Sequence, residues 1–547
     1  MKPVPEGDTA LVLVPAADEG QWLGHVSGVA AAIEAAGIPG LTDVVAAPER
    51  VAVGYNPLLV GDMAAFEKGV ADAAGSAEAG IVAGGATHVI PVVYDGPDMQ
   101  DVCAAHGINR DRLVAIHTEP DYRVEAVGFL PGFGYLGGLA ESLATPRRAT
   151  PRPSIPAGSV GIGGSQTGVY PFASPGGWNL IGRSSVRLFD PGRPRPGLWA
   201  VGDRVRFTAA DPAGMAADEK APAVPETAKS GHGRPVITVV QPGLFTTIQD
   251  LGRPGYRASG VPLSGAADPV SLRLANLLVG NPEDSAAIEC TLVGPTLRFE
   301  RDAVVACVGG EFPGLPSGKP VSVAAGTEIA LGHVTSGCRG CLAVAGGIVV
   351  PPVLGSRSTL VSAGLGGLAG RPLRAGDRLG GGSPAFGPKA RFSLPPLLDS
   401  AHRPLLVRVL PGEHADWFDE AAWAQTFRVS SRSNRMGVRL EGASLTGSRA
   451  AGEADAAARA ASLRSIPVFP GTIQVPPDGF PIILLADAQT IGGYPIFGHV
   501  ITADLPVVAQ LRPGDELAWR PVSLGEAHAA LWEIEAAVSA FGEAEQP

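Results

Sequence analysis

Apolar residues in positions 9–95 repeat with two different periods. Runs of strand type are Thr9–Val14, Asp43–Ala47, Arg50–Tyr55 and His88–Tyr94, and runs with helical spacing are Glu19–Ala36 and Gly61–Ala74. Gly37 directly follows the first helical run, where a glycine commonly ends a helix. The order β-α-β-β-α-β predicts a small ferredoxin-like α+β unit.

Beyond Val124 the apolar runs become short and are separated by glycine and proline. They include Val124–Leu130, Ser159–Gly163, Asn179–Gly182, Asp203–Thr208 and Val236–Gln241. Many short strands divided by turn residues are typical of barrels and sandwiches. Helical spacing returns only in Pro269–Leu278, which precedes a Gly-Asn-Pro turn, and in Ser523–Phe541. A mainly β chain with an α+β N-terminal unit is therefore predicted.

Periodicity is lost in residues 211–235, which are rich in Ala, Pro, Lys and Glu and indicate a linker. Ser448–Ser462 is a second low-complexity stretch, interpreted as a loop or short helix. The predicted domains are residues 1–95 (α+β unit), 96–211 (β-barrel), 212–235 (linker), 236–400 (second barrel) and 401–547 (third barrel with a C-terminal helix).

Length and composition limit the classes of function. The chain has 547 residues, 45% of them hydrophobic and 17% charged, which predicts several folded domains. A formal net charge of −11 argues against a nucleic-acid partner. No signal peptide and no apolar run of about 18 residues is recognisable, so no membrane span is expected. Five cysteines in so long a chain favour a reducing compartment, and the cytoplasm is predicted.

Three short motifs are interpreted as structural. Gly132–Gly137 matches G-x-G-x-x-G, but Pro146 follows too soon for the helix of a dinucleotide site. Its backbone N–H groups would still suit an anion. Gly314–Pro320 is one residue short of a phosphate-binding loop and lacks the Ser or Thr that holds magnesium. Cys338–Cys341 is a lone CxxC without the second pair of a zinc site, so no metal is predicted.

Several polar residues are candidates for chemistry. His117 stands beside acidic residues and is interpreted either as a general base or as a surface loop histidine. Asp250 and Arg253 lie in QDLGRPGY, where an arginine suits carboxylate or phosphate recognition and where turn chemistry is the alternative.

A repeated motif supplies neutral hydrogen-bonding groups. QTGVYP contributes Gln166, Thr167 and Tyr170, and QTIGGYP contributes Gln489, Thr490 and Tyr494. Such side chains on glycine-rich loops fit a small amide or carboxylate ligand. We expect these two QT segments to converge on one cleft.

Long stretches of the chain resemble a known family, the two-part allophanate hydrolases, whose parts are also called 5-oxoprolinase subunits B and C. PGFGYLGGL at Pro131–Leu139 and TPRRATPRPSIPAGSVGIGGSQTGVYPFASPGGWNLIGR at Thr145–Arg183 are similar to allophanate hydrolase subunit 1, the B part. VVQPGLFTTIQDLGRPGYRASGVPLSGAADP at Val239–Pro269, SNRMGVRLEG at Ser433–Gly442 and GTIQVPPDGFPIILLADAQTIGGYP at Gly471–Pro495 are similar to subunit 2, the C part.

The resemblance implies tandem cyclophilin-like β-barrels and two family activities. One is ATP-dependent opening of 5-oxoproline with a third subunit, and the other is carboxyl transfer from carboxybiotin to urea. The chain departs from the family pattern at Gly134, where proline is usual, and at Ile491, where threonine is usual. It also departs at Ile466 and Ile496, where an acidic and a basic residue are usual.

The leading hypothesis is an ATP-dependent lactam or amide hydrolase component resembling fused 5-oxoprolinase subunits B and C. ATP is its cofactor, with Mg²⁺ as an optional companion, and a third subunit its partner. The alternatives are a biotin-dependent carboxyltransferase module served by a separate carboxybiotin carrier, and a catalytically altered binding or regulatory protein. A homo-oligomer stays open.

The leading hypothesis gives each candidate residue a role. The catalytic set is His117, Asp250 and Asp487. The substrate-binding set is Gln166, Thr167, Tyr170, Gln474, Gln489 and Tyr494. The phosphate- or anion-binding set is Gly132, Gly134, Arg148, Arg253 and Arg357.

Overall fold

The computed structural model describes residues 3–14, 22–77, 85–212, 234–383, 404–445 and 463–543. Residues 3–77 contain a four-stranded antiparallel sheet in the order β1-β2-β4-β3. Its strands are β1 (Val4–Pro5), β2 (Ala10–Leu13), β3 (Leu41–Ala47) and β4 (Arg50–Tyr55). The helices Trp22–Ala35 and Met63–Ser76 share a core with this sheet.

Strand β2 is buried on both faces, which explains its uninterrupted apolar sequence. Leu11 and Leu13 face the core beneath the two helices. Ala10 and Val12 face the other way and join a cluster that contains Phe469 from the far end of the chain. The N-terminal sheet is thus an internal layer of the protein.

The predicted ferredoxin-like unit is wrong in its last strand. Thr87–Val92 (β5) does not join the N-terminal sheet, because it pairs in parallel with a strand at Arg204–Ala209. Its alternate residues Ile90 and Val92 enter the core of the first barrel. The sequence pattern identifies β5 as a strand but carries no information about its partner.

The first barrel is a seven-stranded sheet in the order β12-β9-β10-β7-β6-β13-β5. A bridge between Val93 and Arg183 brings its two edges together, so the barrel is nearly closed. Its remaining strands, with the small pair β8 and β11, are β6 (Tyr122–Val127), β7 (Gly134–Gly137), β8 (Arg152–Ile155), β9 (Ser159–Gly163), β10 (Gln166–Val169), β11 (Ser174–Gly176), β12 (Asn179–Arg183) and β13 (Arg204–Ala209). The helices Met99–His106 and Arg110–Thr118 pack on it and were not predicted.

Residues 234–383 form two five-stranded sheets around one core. The strands are β14 (Arg234–Gln241), β15 (Phe245–Gln249), β16 (Ala287–Thr291), β17 (Val293–Phe299), β18 (Ala303–Glu311), β19 (Val321–Val323), β20 (Glu328–His333), β21 (Ser336–Val344), β22 (Ile348–Val349) and β23 (Arg378–Gly381). The helix Pro269–Leu278 is confirmed residue for residue. Asp268 caps it by accepting the Ser271 N–H at 2.9 Å, and proline occupies its first turn.

Residues 404–543 contain a closed barrel in the order β24-β31-β28-β29-β26-β25-β32. Its strands, with the separate pair β27 and β30, are β24 (Leu405–Pro411), β25 (Thr426–Val429), β26 (Gly437–Glu441), β27 (Ile466–Pro467), β28 (Thr472–Gln474), β29 (Ile482–Leu484), β30 (Ile491–Gly492), β31 (Ile496–Val500) and β32 (Glu516–Pro521). Helices accompany it at Glu420–Trp423, Leu505–Ala509 and Leu524–Glu543.

The predicted fold class is confirmed: the protein is mainly β, with an α+β N-terminal unit and tandem cyclophilin-like barrels. The domain limits at residues 95, 211, 235 and 400 stay predictions. Most of the linker and the stretch Ser448–Ser462 lie outside the described residues, although β14 already begins at Arg234. None of the helices in the described ranges combines the length and apolar character needed to cross a membrane.

A buried polar contact fastens the N-terminal sheet to the rest of the protein. Asp43 of β3 accepts the backbone N–H groups of Gly255 and Arg257, each at 3.0 Å. The buried Arg257 guanidinium donates to the Val468 carbonyl and lies 4.5 Å from the centre of the Phe469 ring. Burial lowers the pKa of Arg257, and the Asp43 carboxylate opposes that shift.

Asp43→Ala is expected to lower the free energy of unfolding by about 3–5 kcal/mol, because it leaves the buried Arg257 guanidinium without its nearby opposite charge and two backbone N–H groups without their acceptor. Urea unfolding followed by circular dichroism measures the loss. Asp62→Ala, which removes the exposed cap of the helix Met63–Ser76, is the matched control and should lose about 1 kcal/mol. Equal losses in the two variants would contradict this account of the contact.

Candidate functional site

The loop Gln489–Pro495 of the last barrel packs against the first barrel at Gly128. A β-carbon on Gly128 would lie 2.3 Å from Ile491 Cγ1 and 3.0 Å from Thr490 Oγ1, so glycine allows the close approach. Ile491 is fully enclosed in a cluster of apolar side chains from three parts of the chain. The buried members are Val45, Ala47, Ala126, Leu130, Phe133, Tyr135, Ile155, Tyr170, Trp178, Leu180 and Ile491.

This cluster brings the two QT segments to one interface. Tyr170 from the first segment and Ile491 from the second are both members of it. Burial raises the pKa of Tyr170, so its hydroxyl stays protonated. Gln166 begins β10, where its Nε2 donates to Glu125 Oε2 at 2.7 Å.

Two glutamine amides meet beside the second QT segment. Gln489 Nε2 donates to Gln474 Oε1 at 3.4 Å. Gln474 Nε2 and Thr490 Oγ1 are buried and have no hydrogen-bond partner among the described residues. A β-carbon on Gly492 would come within 2.4 Å of Gln474 Nε2, so glycine is needed there too. The pair therefore keeps a buried, unpartnered donor in Gln474 Nε2, beside the half-buried Gln489 amide.

Asp487 belongs to a buried ion network. Arg435 donates to Asp487 through Nε at 2.8 Å and through Nη2 at 3.0 Å. The same guanidinium binds Glu289 of β16 and the Gly265 carbonyl. Burial alone would lower the pKa of Arg435, but the two carboxylates raise it above its ordinary value. In this arrangement Asp487 holds the loop that leads into Gln489.

Asp250 organises the loop around residues 356–358. Its Oδ1 accepts the Ser356 hydroxyl at 2.6 Å, the Ser358 hydroxyl at 2.5 Å and the Gly252 N–H at 2.9 Å. Its Oδ2 accepts the Arg357 N–H at 2.5 Å, while Arg357 Nε donates to the Val350 carbonyl at 3.1 Å.

Arg253 is buried and only partly satisfied. Its Nη2 donates to the Ser358 carbonyl, whereas Nε and Nη1 have no partner within the described part of the chain. Burial lowers the pKa of Arg253, and the nearby Asp250 and Asp487 carboxylates oppose this shift. Two free donors on a buried cation are suited to an oxyanion.

The other predicted anion-binding groups are already engaged. Arg148 donates to the buried Asp98 at 2.9 Å. The N–H of Gly132 donates to the Ser259 carbonyl at 2.9 Å. Gly134 begins β7, and a β-carbon there would lie 2.7 Å from Trp199 Nε1, so the glycine leaves room for the indole. The motif runs into this strand and not into the long helix of a dinucleotide site, as predicted.

Of the two interpretations of His117, the surface loop histidine is wrong, because the residue is fully buried in the helix Arg110–Thr118. The Thr167 hydroxyl donates its hydrogen bond to the Gly161 carbonyl at 2.9 Å. Its oxygen therefore accepts the hydrogen bond from His117 Nε2 at 3.0 Å. His117 Nδ1 therefore accepts from the Tyr94 hydroxyl at 2.8 Å. The imidazole is neutral and satisfied, and burial lowers its pKa to about 3.

A cavity of about 210 Å³ lies where the N-terminal sheet meets the last barrel. Of its lining residues only Tyr494 was among the predicted site residues. The lining consists of Pro48, Glu49, Arg50, Glu413, His414, Leu463, Arg464, Ile466 and Tyr494. The other polar members of the lining were missed because no motif links residues so far apart in sequence.

The departures from the family pattern occupy apolar surroundings. Ile466 and Ile496 belong to one buried cluster with Val468, Leu484 and Ala488. Ile466 also borders the cavity. At both positions, where the resemblance leads us to expect a charged residue, the chain has mutually packed aliphatic side chains.

The cysteines and acidic residues give no metal site in the part of the chain that the structure describes, where no group of three or more possible ligands converges. Cys338 and Cys341 are free thiols within β21.

His117→Gln is expected to reduce the loss of unfolding free energy that the wild type shows at acidic pH. With a folded pKa of about 3 and an ordinary value of 6.5, the unfolded chain binds a proton that the folded chain refuses. The contribution of His117 to stability is therefore constant above about pH 6.5 and falls as the pH drops below it. Between about pH 7.5 and pH 5, the wild type should lose about 2 kcal/mol more than the variant in urea unfolding. The exposed His333→Gln should behave as the wild type; an unchanged slope in His117→Gln would refute the prediction.

Comparison with known proteins gives matches to both halves. The family model for carboxyltransferase domain, subdomain C and D, matches residues 1–199, and that for subdomain A and B matches residues 259–521. The crystal structure of TTHA0988 superposes with a TM-score of 0.77 at 34% identity, covering 93% of this chain and 99% of that one.

Among relatives, the C subunit of 5-oxoprolinase from Escherichia coli (strain K12) is 39% identical over 53% of this chain and 93% of its own length. The B subunit of the Haemophilus influenzae enzyme is 54% identical over 22% of this chain and 57% of its length. Urea amidolyase of Lachancea kluyveri is 35% identical over 52% of this chain but only 17% of its length. The chain therefore belongs to the carboxyltransferase-domain family and joins in one polypeptide the regions similar to 5-oxoprolinase subunits B and C.

Proposed function

We propose that this chain is a component of an ATP-dependent hydrolase that opens a small lactam or amide. The similarity of its halves to 5-oxoprolinase subunits B and C supports the reaction class. The observation that carries the proposal for this chain is the incompletely satisfied pair Gln474 and Gln489 beside the interface of the two barrels.

A cyclic amide fits that pair by hydrogen-bond geometry. Its ring holds the N–H and the C=O on the same edge, so it needs one acceptor and one donor side by side. With Gln489 Nε2 and Gln474 Oε1 bonded to each other, Gln489 Oε1 would be the acceptor and Gln474 Nε2 the donor for such a ring. A buried polar group without a partner costs about 1–3 kcal/mol, and a bound lactam would remove that cost.

Other predicted site residues support the pair, either as a further polar group or by fixing the loops around it. Thr490 Oγ1 is a further unpartnered group for the substrate within the described residues. Tyr170 supports the loop through the shared apolar cluster. We assign positioning roles to Asp487, which fixes the start of the loop, and to His117, which holds Thr167 and its strand.

Arg253 is suited to bind a phosphate group of ATP. ATP, when bound, supplies the phosphoryl group that activates the substrate carbonyl. Arg253 would hold phosphate with its two unpartnered nitrogens, and Asp250 would keep the surrounding loop in shape. To bind phosphate, Arg148 would have to give up its hydrogen bond to Asp98, and Arg357 its hydrogen bond to the Val350 carbonyl.

A second candidate is carboxyl transfer, favoured by the names of the two matching family models and by the urea amidolyase relative. The same amide pair would then hold urea, and a separate carrier would deliver carboxybiotin.

The deciding experiment is an assay of ATP hydrolysis by the full chain with 5-oxoproline, with and without the third 5-oxoprolinase subunit. We expect turnover that requires both the lactam and the partner. Gln489→Leu should lower kcat/KM by about tenfold or more, because the lactam N–H loses its acceptor.

Gln100→Leu, on an exposed turn of the helix Met99–His106, removes an amide far from the pair and should leave the rate unchanged. Absence of lactam-dependent ATP hydrolysis in every pairing would reject the hydrolase. Carboxylation of urea from a carboxybiotin carrier would instead establish the second candidate.

A further inference from the structure

The cavity between the N-terminal sheet and the last barrel shares no residue with the Gln474–Gln489 pair. One wall is the turn at Pro48–Arg50, which joins β3 to β4. The opposite wall comes from the last barrel at Glu413, His414 and the segments around Arg464 and Tyr494. The cavity exists only because both units contribute to it.

Among the residues that the structure describes, two ion pairs link the two walls of this cavity, and their four charges sum to zero. Arg50 binds Glu413 through two hydrogen bonds of 2.6 and 3.2 Å. Arg464 lies 3.3 Å from Glu49, and both of these side chains are half exposed. A ligand with only a negative charge would be repelled by the two carboxylates, and a ligand with only a positive charge would be repelled by the two guanidinium groups. A ligand that carries both charges would meet a partner for each.

His414 adds an uncharged donor. Its Nδ1 accepts the Ile496 N–H at 3.2 Å, so the proton of the neutral ring resides on Nε2. Burial lowers the pKa of His414; the Glu413 carboxylate opposes this shift and Arg50 adds to it. Neither Nε2 nor the Tyr494 hydroxyl has a partner among the described residues, and both residues line the cavity.

The position of Glu49 is held under backbone strain. Its φ of 62° lies in the left-handed region, which costs a residue with a β-carbon about 1–2 kcal/mol. Glycine would be the relaxed choice in this two-residue turn. A carboxylate at this strained position points to a role for its charge.

The rest of the lining is apolar. Pro48, Leu463 and Ile466 stand among the charged groups. A volume of about 210 Å³ is smaller than that of pockets for drug-sized ligands, about 300–1,000 Å³, and favours a compact molecule.

We propose that this cavity binds an α-amino acid with an aliphatic side chain. Arg464, Tyr494 and His414 would receive the carboxylate, Glu49 and Glu413 the ammonium group, and the apolar residues the side chain. This binding site goes beyond the proposed hydrolase and involves no ATP and no partner subunit.

Titration calorimetry of the full chain with three related probes tests the proposal. L-Leucine has both charges, 4-methylpentanoate lacks the ammonium group, and 3-methylbutylamine lacks the carboxylate. We expect leucine to bind, and each deletion to weaken binding by about tenfold or more. Absence of leucine binding at millimolar concentration, or equal binding of all three, would overturn the proposal.

Two variants sharpen the test. Glu49→Gly relieves the strained φ, so it should not lower Tm, yet it should weaken leucine and strengthen 4-methylpentanoate binding. Arg464→Met should weaken both carboxylates about tenfold. Arg206→Met breaks a comparably exposed ion pair with Asp121 elsewhere and should change neither. Leucine affinity that is unaltered in both cavity variants would place the ligand outside this cavity and contradict the assignment.

Discussion

The buried guanidinium of Arg435 is the constraint on which the arrangement of the last barrel depends. It draws together Glu289 of a neighbouring sheet, the Gly265 carbonyl and Asp487. Removal of one partner from such a network costs about 3–5 kcal/mol, since a buried charge is left behind. Because Asp487 stands two residues before Gln489, the network sets the direction in which the second QT segment leaves the barrel. The contact with the first barrel then follows from that direction.

Apolar packing accounts for the isoleucines at positions 466 and 496. An acidic and a basic residue at positions 466 and 496 would have to pair or leave a charge uncompensated inside the protein. Two isoleucines in one cluster avoid that requirement, and exchange of a buried ion pair for packed aliphatic groups is often neutral or stabilising. Ile491 likewise fills the surface offered by Gly128. Each of the three isoleucines is therefore packed among apolar side chains.

Local signals in the sequence were sufficient for some features and silent on others. The helix Pro269–Leu278 is predicted to the residue, because a cap, a proline and a terminal glycine all lie within it or beside it. The partner of Thr87–Val92 is not predictable from such signals, since strand pairing is decided by residues more than a hundred positions away. Gln474 and Gln489 are accessible to motif analysis. His414 is not, because its significance arises from a turn that folds against it from the other end of the chain.

Both surfaces of strand β2 are covered, one by helices of its own unit and the other by a cluster containing Phe469. Because both faces of this sheet are packed, its detachment would expose apolar side chains to water. When the two halves are parts of a single polypeptide, their meeting is intramolecular, and its probability does not fall on dilution. Their stoichiometry is fixed at one to one by translation. Expression level, which governs the assembly of separately encoded subunits, has no influence on whether this interface forms.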